Sequence, residues 1–425
     1  MQFMPKDESK PENTKNDHRA IGERLDLFSF HEVAPGAVFW HGNGMIIFRE
    51  LEKLIREELD AQGYQETSTP ITVKSRVFEK SGHLKYYREN MFEVQSDTSA
   101  VENGSKRAVI RPETYYLKPM NCPESTYVYN SRVRSYKDLP LRLSEIGRLH
   151  RRELSGVVGG LFRLKQFTMD DAHIYLRPDQ IQEEVSSLLK LVTKIYAVFG
   201  FKPKFYLSTM PEKAMGEKKD WEKAEKALEM TLRENKVKYE VKEKDGAFYG
   251  PKIDIEIKDS LDRSWQLATI QLDLVMLPEQ FELAYVDETG KKQKPIVIHR
   301  AVYGSFERFI GILLEHFGGA LPLWLSPIQA EVINVGAGQR KYAEKVYLEL
   351  KGAGIRTTMS SDNLTVAKKI REAEMKKIPY VAVVGEKEES GNFVNVRKKG
   401  VKDNLEMKIV ELVSQIKKEI EERAV

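Results

Sequence analysis

The stretch LRLSEIGRLHRRELSGVVGGLFRLKQFTMDDAHIY, residues 141–175, decides how this chain is read. Its first arm, 141–149, is rich in apolar residues and runs into His150, Arg151 and Arg152. Ser155, Gly156, Gly159 and Gly160 follow, the residue types that turn a chain between two antiparallel strands. The second arm, 161–175, predicts a strand, and alternate residues of a strand share one face. One face carries Arg163, Lys165, Phe167, Met169, Asp171 and His173. The other carries Phe162, Leu164, Gln166, Thr168, Asp170 and Ala172. A row of cations, ring, carboxylate and imidazole is costly to bury without partners. It suits the floor of a site for a polyanion, a flat base and a metal ion. The plainer reading is a solvated sheet face, against which stands the DDAH segment inside an otherwise apolar run.

Around this stretch the chain has 425 residues, enough for two or three domains with cores. Hydrophobic content of 41% and charged content of 31% describe a soluble globular protein. The net charge of +4 is mild, so nucleic-acid binding would depend on a local patch. No apolar run approaches a membrane span, and MQFMPKDESKPENTKNDHRA lacks the apolar centre of a signal peptide. The expected compartment is therefore the cytosol, with no membrane partner. Cys122, the one cysteine, excludes an intrachain disulfide and a multi-cysteine metal cluster but not a mixed Cys/His site.

Taken in order, residues 1–17 read as a disordered tail. Ile47, Leu51, Leu54, Ile55 and Leu59 recur at helical spacing and predict an amphipathic helix over 45–61, stopped by Gly63. TSTPITV (67–73) reads as a strand with Pro70 at its centre, which suits an edge or an interface. QSDTSAVENGSKRA (95–108) reads as a polar loop, and 111–120 as a strand leading into Asn121, Cys122 and Pro123. Helices are expected at 179–199 and 219–235. YEVKE, KIDIEIKD, SWQLATIQLDL and FELAYVD between 239 and 286 read as antiparallel strands, and 299–317 as a strand turning into a helix. This is an α+β pattern around an antiparallel sheet, over 18–320. LPLWLSP (321–327) is a Pro-bounded linker. Beyond it, strands and helices alternate over 328–425, a smaller α/β domain of about 100 residues.

The 141–175 stretch resembles motif 2 of class II aminoacyl-tRNA synthetases, and in particular of the threonyl-tRNA synthetases. VFWHGNG (38–44), LKPMNCP (117–123), AFYGPKIDI (247–255) and WQLATIQLD (265–273) fit the same family. HRAVYGSFERFIGILLEHF (299–317) resembles motif 3. The resemblance covers about residues 18 to 425. It implies a class II antiparallel catalytic domain followed by an anticodon-binding domain, and a homodimer formed through motif 1, whose strand TSTPITV (67–73) resembles.

It also implies an activity: threonine is joined to ATP as an adenylate and then passed to tRNA(Thr). Arg151, with Lys252, should meet the α-phosphate, and Arg163 and Arg308 the outer phosphates. Arginine suits this because its fork binds phosphate bidentately and stays charged. Glu153 should read the adenine amino group and Phe167 stack on the ring, with Gln266, Thr269 and Gln271 lining the pocket. Magnesium should accompany the ATP. Cys122, His173 and His299 match the family's zinc ligands, a three-donor set with an open position. On the residues alone, Cys122 is more often a core cysteine, and His173 equally a satisfied core histidine. Asp171 should hold the substrate ammonium, with Tyr249 and Met169 nearby.

Serine keeps the hydroxyl, and one missing methyl gives only about 1–3 kcal/mol of discrimination. The short polar N-terminus leads to the expectation of a form without an editing domain, one that misacylates with serine and depends on a separate trans-editing deacylase. The chain departs from the family pattern at Met169 (commonly Gln), Leu267 and Ala268 (Cys-Gly), and Glu124 and Ser125 (Gly-His). SSDNLTVAKK (360–369) matches poorly where the family reads bases. Lys368, Lys369, Arg371, Lys376 and Lys377 either contact phosphates or form a solvated helix face. Two other readings stay open: a catalytically silent paralogue acting as an RNA-binding regulator, and a related ligase for proline or serine.

Overall fold

The computed structural model describes residues 16–95, 101–103, 106–108, 113–360 and 364–424. The tail expected at 1–17 thus lies outside the described residues except for Asn16 and Asp17. Asp17 caps the first helix, His18–Arg24, accepting a hydrogen bond from the Arg19 amide at 2.8 Å. Chain contacts divide the molecule into two units, one of 32–37 with 55–309, the other of the remaining residues. Among the described residues no helix is long and apolar enough to cross a membrane.

The first unit is built on an eight-stranded sheet. Numbered in chain order, its strands are β1 (Gln65–Glu66), β2 (Leu141–His150), β3 (Gln166–Leu176), β4 (Lys204–Ser208), β5 (Tyr239–Lys242), β6 (Lys252–Lys258), β7 (Ser264–Asp273) and β8 (Ile296–Ser305). Their order across the sheet is β5-β4-β6-β7-β8-β3-β2-β1. The pairs from β4 through β2 are antiparallel, and only the flanking β1/β2 and β4/β5 pairs are parallel. The helix Ile181–Ala197, expected at 179–199, buries Val185, Leu188, Leu189 and Val192. A second helix spans Lys218–Glu234, and Gly42–Asp60 is the amphipathic helix expected at 45–61.

Several local expectations are corrected. The second arm of the central hairpin becomes a strand only at Gln166. Before it, the Gly159 amide donates to Arg163 and the Lys165 amide to Gly36, so these backbone groups are committed to a turn and a loop. Lys165 thereby leaves the row that holds Phe167 and Met169. YEVKE pairs parallel, not antiparallel, with β4. FELAYVD is mostly not strand. Asp273 accepts from the amides of Val275, Met276 and Leu277 and starts a short helix, Met276–Gln280, leaving only Tyr285–Val286 extended. TSTPITV splits, with Thr72–Lys74 in a separate small sheet and Thr69 hydrogen-bonded to Glu145 instead of to a neighbouring strand. Within the polar stretch 95–108, Val101–Asn103 and Lys106–Ala108 pair as short strands. Cys122 opens a helix, α1 (Cys122–Tyr129), where Pro123 in the first turn costs no hydrogen bond.

In the second unit a five-stranded sheet runs Thr357–Met359, Ala330–Asn334, Tyr380–Val384, Val394–Lys398, Leu405–Met407. The first three strands are parallel and the last two antiparallel. Ala330, Val332, Val346, Leu350, Val396, Leu412 and Ile416 form its core. The last edge strand, Leu405–Met407, is followed by the helix Ile409–Glu421.

Candidate functional site

Strands β2, β3, β7 and β8 present one continuous face, and a cavity of about 420 Å³ opens on it. Arg151, Glu153, Arg163, Phe167, Met169, Gln266, Thr269, Gln271 and Arg308 all line it. Sequence reasoning named each of these, though Arg151 and Arg308 are 157 residues apart in the chain. Three guanidinium groups converge here with one carboxylate. Arg163 Nε donates to Glu153 Oε2 at 3.0 Å. Arg308, in the first turn of helix α2 (Phe306–His316), donates to the Phe162 carbonyl at 3.0 Å. Burial and the like charges of Arg151 and Arg163 pull the Arg308 pKa below its ordinary value, a cost that a polyanion relieves. The Arg151 guanidinium stands 5.0 Å from the centre of the Phe167 ring. Gly304 turns the cavity wall at φ +71°, and a Cβ there would lie 2.9 Å from the Leu267 carbonyl oxygen.

Lys252 does not line the cavity. Its ammonium is buried against Asp254, with Asp245 at 3.5 Å. Asp254 also accepts from Ser208, at 2.7 Å, and from Gln266, which ties the lysine to the cavity wall. In register Lys252 is the partner of Gln271.

At the other end of the same face lie Cys122, His173 and His299, all buried, with donor atoms within 4.8 Å of one another. The helix start supplies the cysteine, β3 and β8 the histidines. His299 Nδ1 is 3.3 Å from Cys122 Sγ, and its Nε2 is 3.1 Å from Asp273 Oδ2. His173 Nε2 is buried with no hydrogen-bond partner. Burial pushes the Cys122 thiol up, helped by Asp171, Glu124 and Asp273, and holds His173 neutral. One sulfur and two imidazole nitrogens, an orphaned buried nitrogen and a carboxylate behind one imidazole fit a zinc ion.

Between cavity and cluster, Asp171 is buried and its pKa is pushed up to about 6 by burial. Asn121 Nδ2 donates to its Oδ2 at 3.0 Å. A Cβ on Gly147 would come within 2.4 Å of Asn121 Oδ1, so the glycine makes room for this contact. The Tyr249 hydroxyl donates to Gln271 Oε1 at 2.6 Å, and its ring centre lies 5.0 Å from that of His299. Asp170, next in sequence to Asp171, faces the other side. It pairs with Arg300 Nη1 at 2.5 Å and accepts from the amides of Val302 and Tyr303.

Asn121 and Asp273 escaped the sequence reading as functional residues. Both lie inside quoted motifs, but their partners are separated from them by 50 and 26 residues. The departures from the family pattern are accommodated differently. Ser125 Oγ hydrogen-bonds the Tyr175 hydroxyl at 2.6 Å. Both Glu124 carboxylate oxygens are buried without a hydrogen-bond partner, and burial pushes its pKa up to about 8. Leu267 and Ala268 are buried in β7, and Met169 forms part of the cavity wall.

The fold is that of a class II tRNA synthetase. Residues 106–317 match the family described as tRNA synthetase class II core domain (G, H, P, S and T), and 329–419 the anticodon binding domain. The chain is 45% identical over 412 residues to the threonine--tRNA ligase of Carboxydothermus hydrogenoformans, covering 97% of this chain and 63% of that protein. It thus spans under two thirds of the length of that curated relative. The solved RNA binding domain of threonyl-tRNA synthetase from Cryptosporidium parvum is 38% identical with a TM-score of 0.86, covering 95% of this chain and 98% of that one. A putative threonyl-tRNA synthetase structure from Aeropyrum pernix is 26% identical with a TM-score of 0.79, covering 96% and 97%. The chain belongs to the threonyl-tRNA synthetase family.

Proposed function

We propose that this polypeptide is a threonine–tRNA ligase. The observation that carries the reading is the placement of the Cys122/His173/His299 cluster and the three-arginine cavity on one sheet face, with Asp171 between them. On this reading the cavity end of the face takes the nucleoside triphosphate and the cluster end the amino acid.

In the first step a threonine carboxylate oxygen bonds to the α-phosphorus of ATP, and the bond to pyrophosphate breaks. Arg151, Arg163 and Arg308 bind the triphosphate and spread its charge, with magnesium on the phosphates. Phe167 and Glu153 fix the base. Asp171, braced by Asn121, accepts a hydrogen bond from the substrate amino group and so aims the carboxylate. In the second step a ribose hydroxyl of tRNA(Thr) attacks the threonyl carbonyl and AMP leaves. Cys122, His173 and His299 would hold zinc, which would supply Lewis acidity toward the amino and hydroxyl groups of threonine. Valine lacks that hydroxyl. Serine has it, so these residues should activate serine as well, more weakly.

Amino-acid-dependent ATP–pyrophosphate exchange with threonine, serine and valine side by side tests this. Exchange should be strongest with threonine, weaker with serine and absent with valine. No exchange with any of the three, from folded and zinc-loaded protein, would overturn the assignment.

A further inference from the structure

We propose that Tyr86, backed by Phe248, is the stacking platform for the penultimate, unpaired base of the tRNA acceptor end. The inference rests on the reading of the chain as a tRNA ligase and deepens it.

A tRNA must bring its terminal ribose to the threonyl carbonyl, beside Tyr249 and His299. The nucleotides before it are single-stranded and need a path to that point. A ladder of rings leads there from the surface. Tyr86 is 45% exposed and stacks on Phe248, with ring centres 5.2 Å apart and planes at 26°. Phe248 meets Tyr249 edge-on at 5.0 Å, and Tyr249 meets His299 at 5.0 Å. The exposed end of this ladder opens on a groove of about 870 Å³. Lys85, Arg88 and Arg152 line the groove together with Tyr86, Phe92 and Tyr116. Cations interleaved with rings are what a single strand requires, the cations for its phosphates and the rings for its bases. Of the two acids in the groove, Glu93 is engaged by the Tyr116 hydroxyl at 2.9 Å, and Glu89 is exposed. The Lys85 ammonium lies 5.1 Å from the Tyr86 ring centre, on a flexible arm that can swing to a phosphate when a base takes that place. Arg152 adjoins Arg151 of the nucleotide cavity, and its amide is fixed to the Asn90 carbonyl at 2.8 Å, so groove and cavity share a wall. The groove, the ring ladder and the donor cluster therefore form one route ending where the ribose must react.

The test uses the full chain and an RNA hairpin ending in the unpaired 3′ tail of tRNA, with 2-aminopurine at the penultimate position. Wild type and Tyr86→Phe should quench its fluorescence, and Tyr86→Ala should not. Single-turnover transfer from preformed threonyl-adenylate to tRNA should slow about tenfold or more in Tyr86→Ala and recover in Tyr86→Phe, because base–ring stacking carries that much. Threonine-dependent pyrophosphate exchange involves no RNA and should hold. The proposal is overturned if Tyr86→Ala quenches and transfers like wild type, if wild type does not quench, or if exchange falls in parallel with transfer, the mark of a structural role. Wild type that quenches the probe but shows no exchange with threonine would overturn the ligase reading and leave the platform standing.

Discussion

His173 and His299 are cross-strand partners on adjacent antiparallel strands, with ring centres 4.9 Å apart and planes at 79°. Two imidazoles side by side in a buried sheet face gain little from each other. Their register becomes sensible with Cys122 Sγ beside them and Asp273 behind His299.

Asp273 orients the His299 ring through Nε2, so Asp273→Asn should weaken metal binding. Zinc affinity, measured by competition with a chromophoric chelator, is expected to fall about 10–100-fold. Asparagine keeps one oxygen for the Val275 and Met276 amides and loses the acceptor for the Leu277 amide, so the melting temperature of the metal-loaded protein should fall only modestly. Unchanged affinity would remove Asp273 from the site.

Arg308→Ala removes one of the three converging guanidinium groups. Loss of a donor aimed at developing charge is expected to cost about 10²–10³ in kcat for pyrophosphate exchange. A fall confined to the KM for ATP would instead show uniform ground-state binding.

Gly147→Ala puts a methyl group against Asn121 Oδ1 and should push that side chain off Asp171. A charge-assisted hydrogen bond is worth about 1.5–3 kcal/mol, so the KM for threonine should rise about tenfold or more. The KM for ATP should be nearly unaffected, since the cavity arginines lie elsewhere on the face.

Glu307 is buried and receives the Thr168 amide on both oxygens, at 3.0 and 2.9 Å. Burial pushes its pKa up to about 7, above the ordinary 4.5. The folded protein therefore keeps a proton that the unfolded chain releases. The stability this confers is full below about pH 4.5 and is lost as pH rises through about 7. Glu307→Gln still accepts from the amide and does not ionise. Relative to it, wild type should lose of order 2 kcal/mol between pH 5 and 8. Denaturant melts of both proteins across that range check the sign. Parallel profiles would show that Glu307 does not titrate there.

The cavity residues were legible because their chemistry is local to short motifs. Phe167 and Met169 were read from strand alternation, and Arg151, Glu153, Gln266, Thr269, Gln271 and Arg308 from the resemblance of their short segments to class II motifs. The corrections have one physical origin, the competition for backbone hydrogen bonds. Lys165 read as part of a strand, but its amide goes to Gly36. FELAYVD has strand composition, yet Asp273 caps the amides ahead of it and winds the chain into a turn of helix. Lys369, weighed as a phosphate contact, is buried and donates to the Asn334 carbonyl and side chain at 3.1 and 3.0 Å. Of the SSDNLTVAKK stretch, residues 361–363 lie outside the described residues.

By itself the sequence determined the order of elements, the antiparallel α+β character of the larger part, the α/β alternation of the smaller, and the residue types of the site. Periodicity and side-chain chemistry act over a few residues, and a sequence records them directly. Strand alternation already set Asp171 apart from Asp170, and only the tertiary structure decided what each one meets. Asp171 and Asp170 differ by one step along β3, so the pleat sends one toward Asn121 and the donor cluster and the other to Arg300. It also decided that Lys252 is held by Asp254, that Asp273 backs His299, and that Tyr86 stacks on Phe248. The Asp273 and Tyr86 contacts join segments that meet only when strands pair in register and the core closes. Their partners are set by burial and hydrogen-bond satisfaction across the whole fold, which no local pattern encodes.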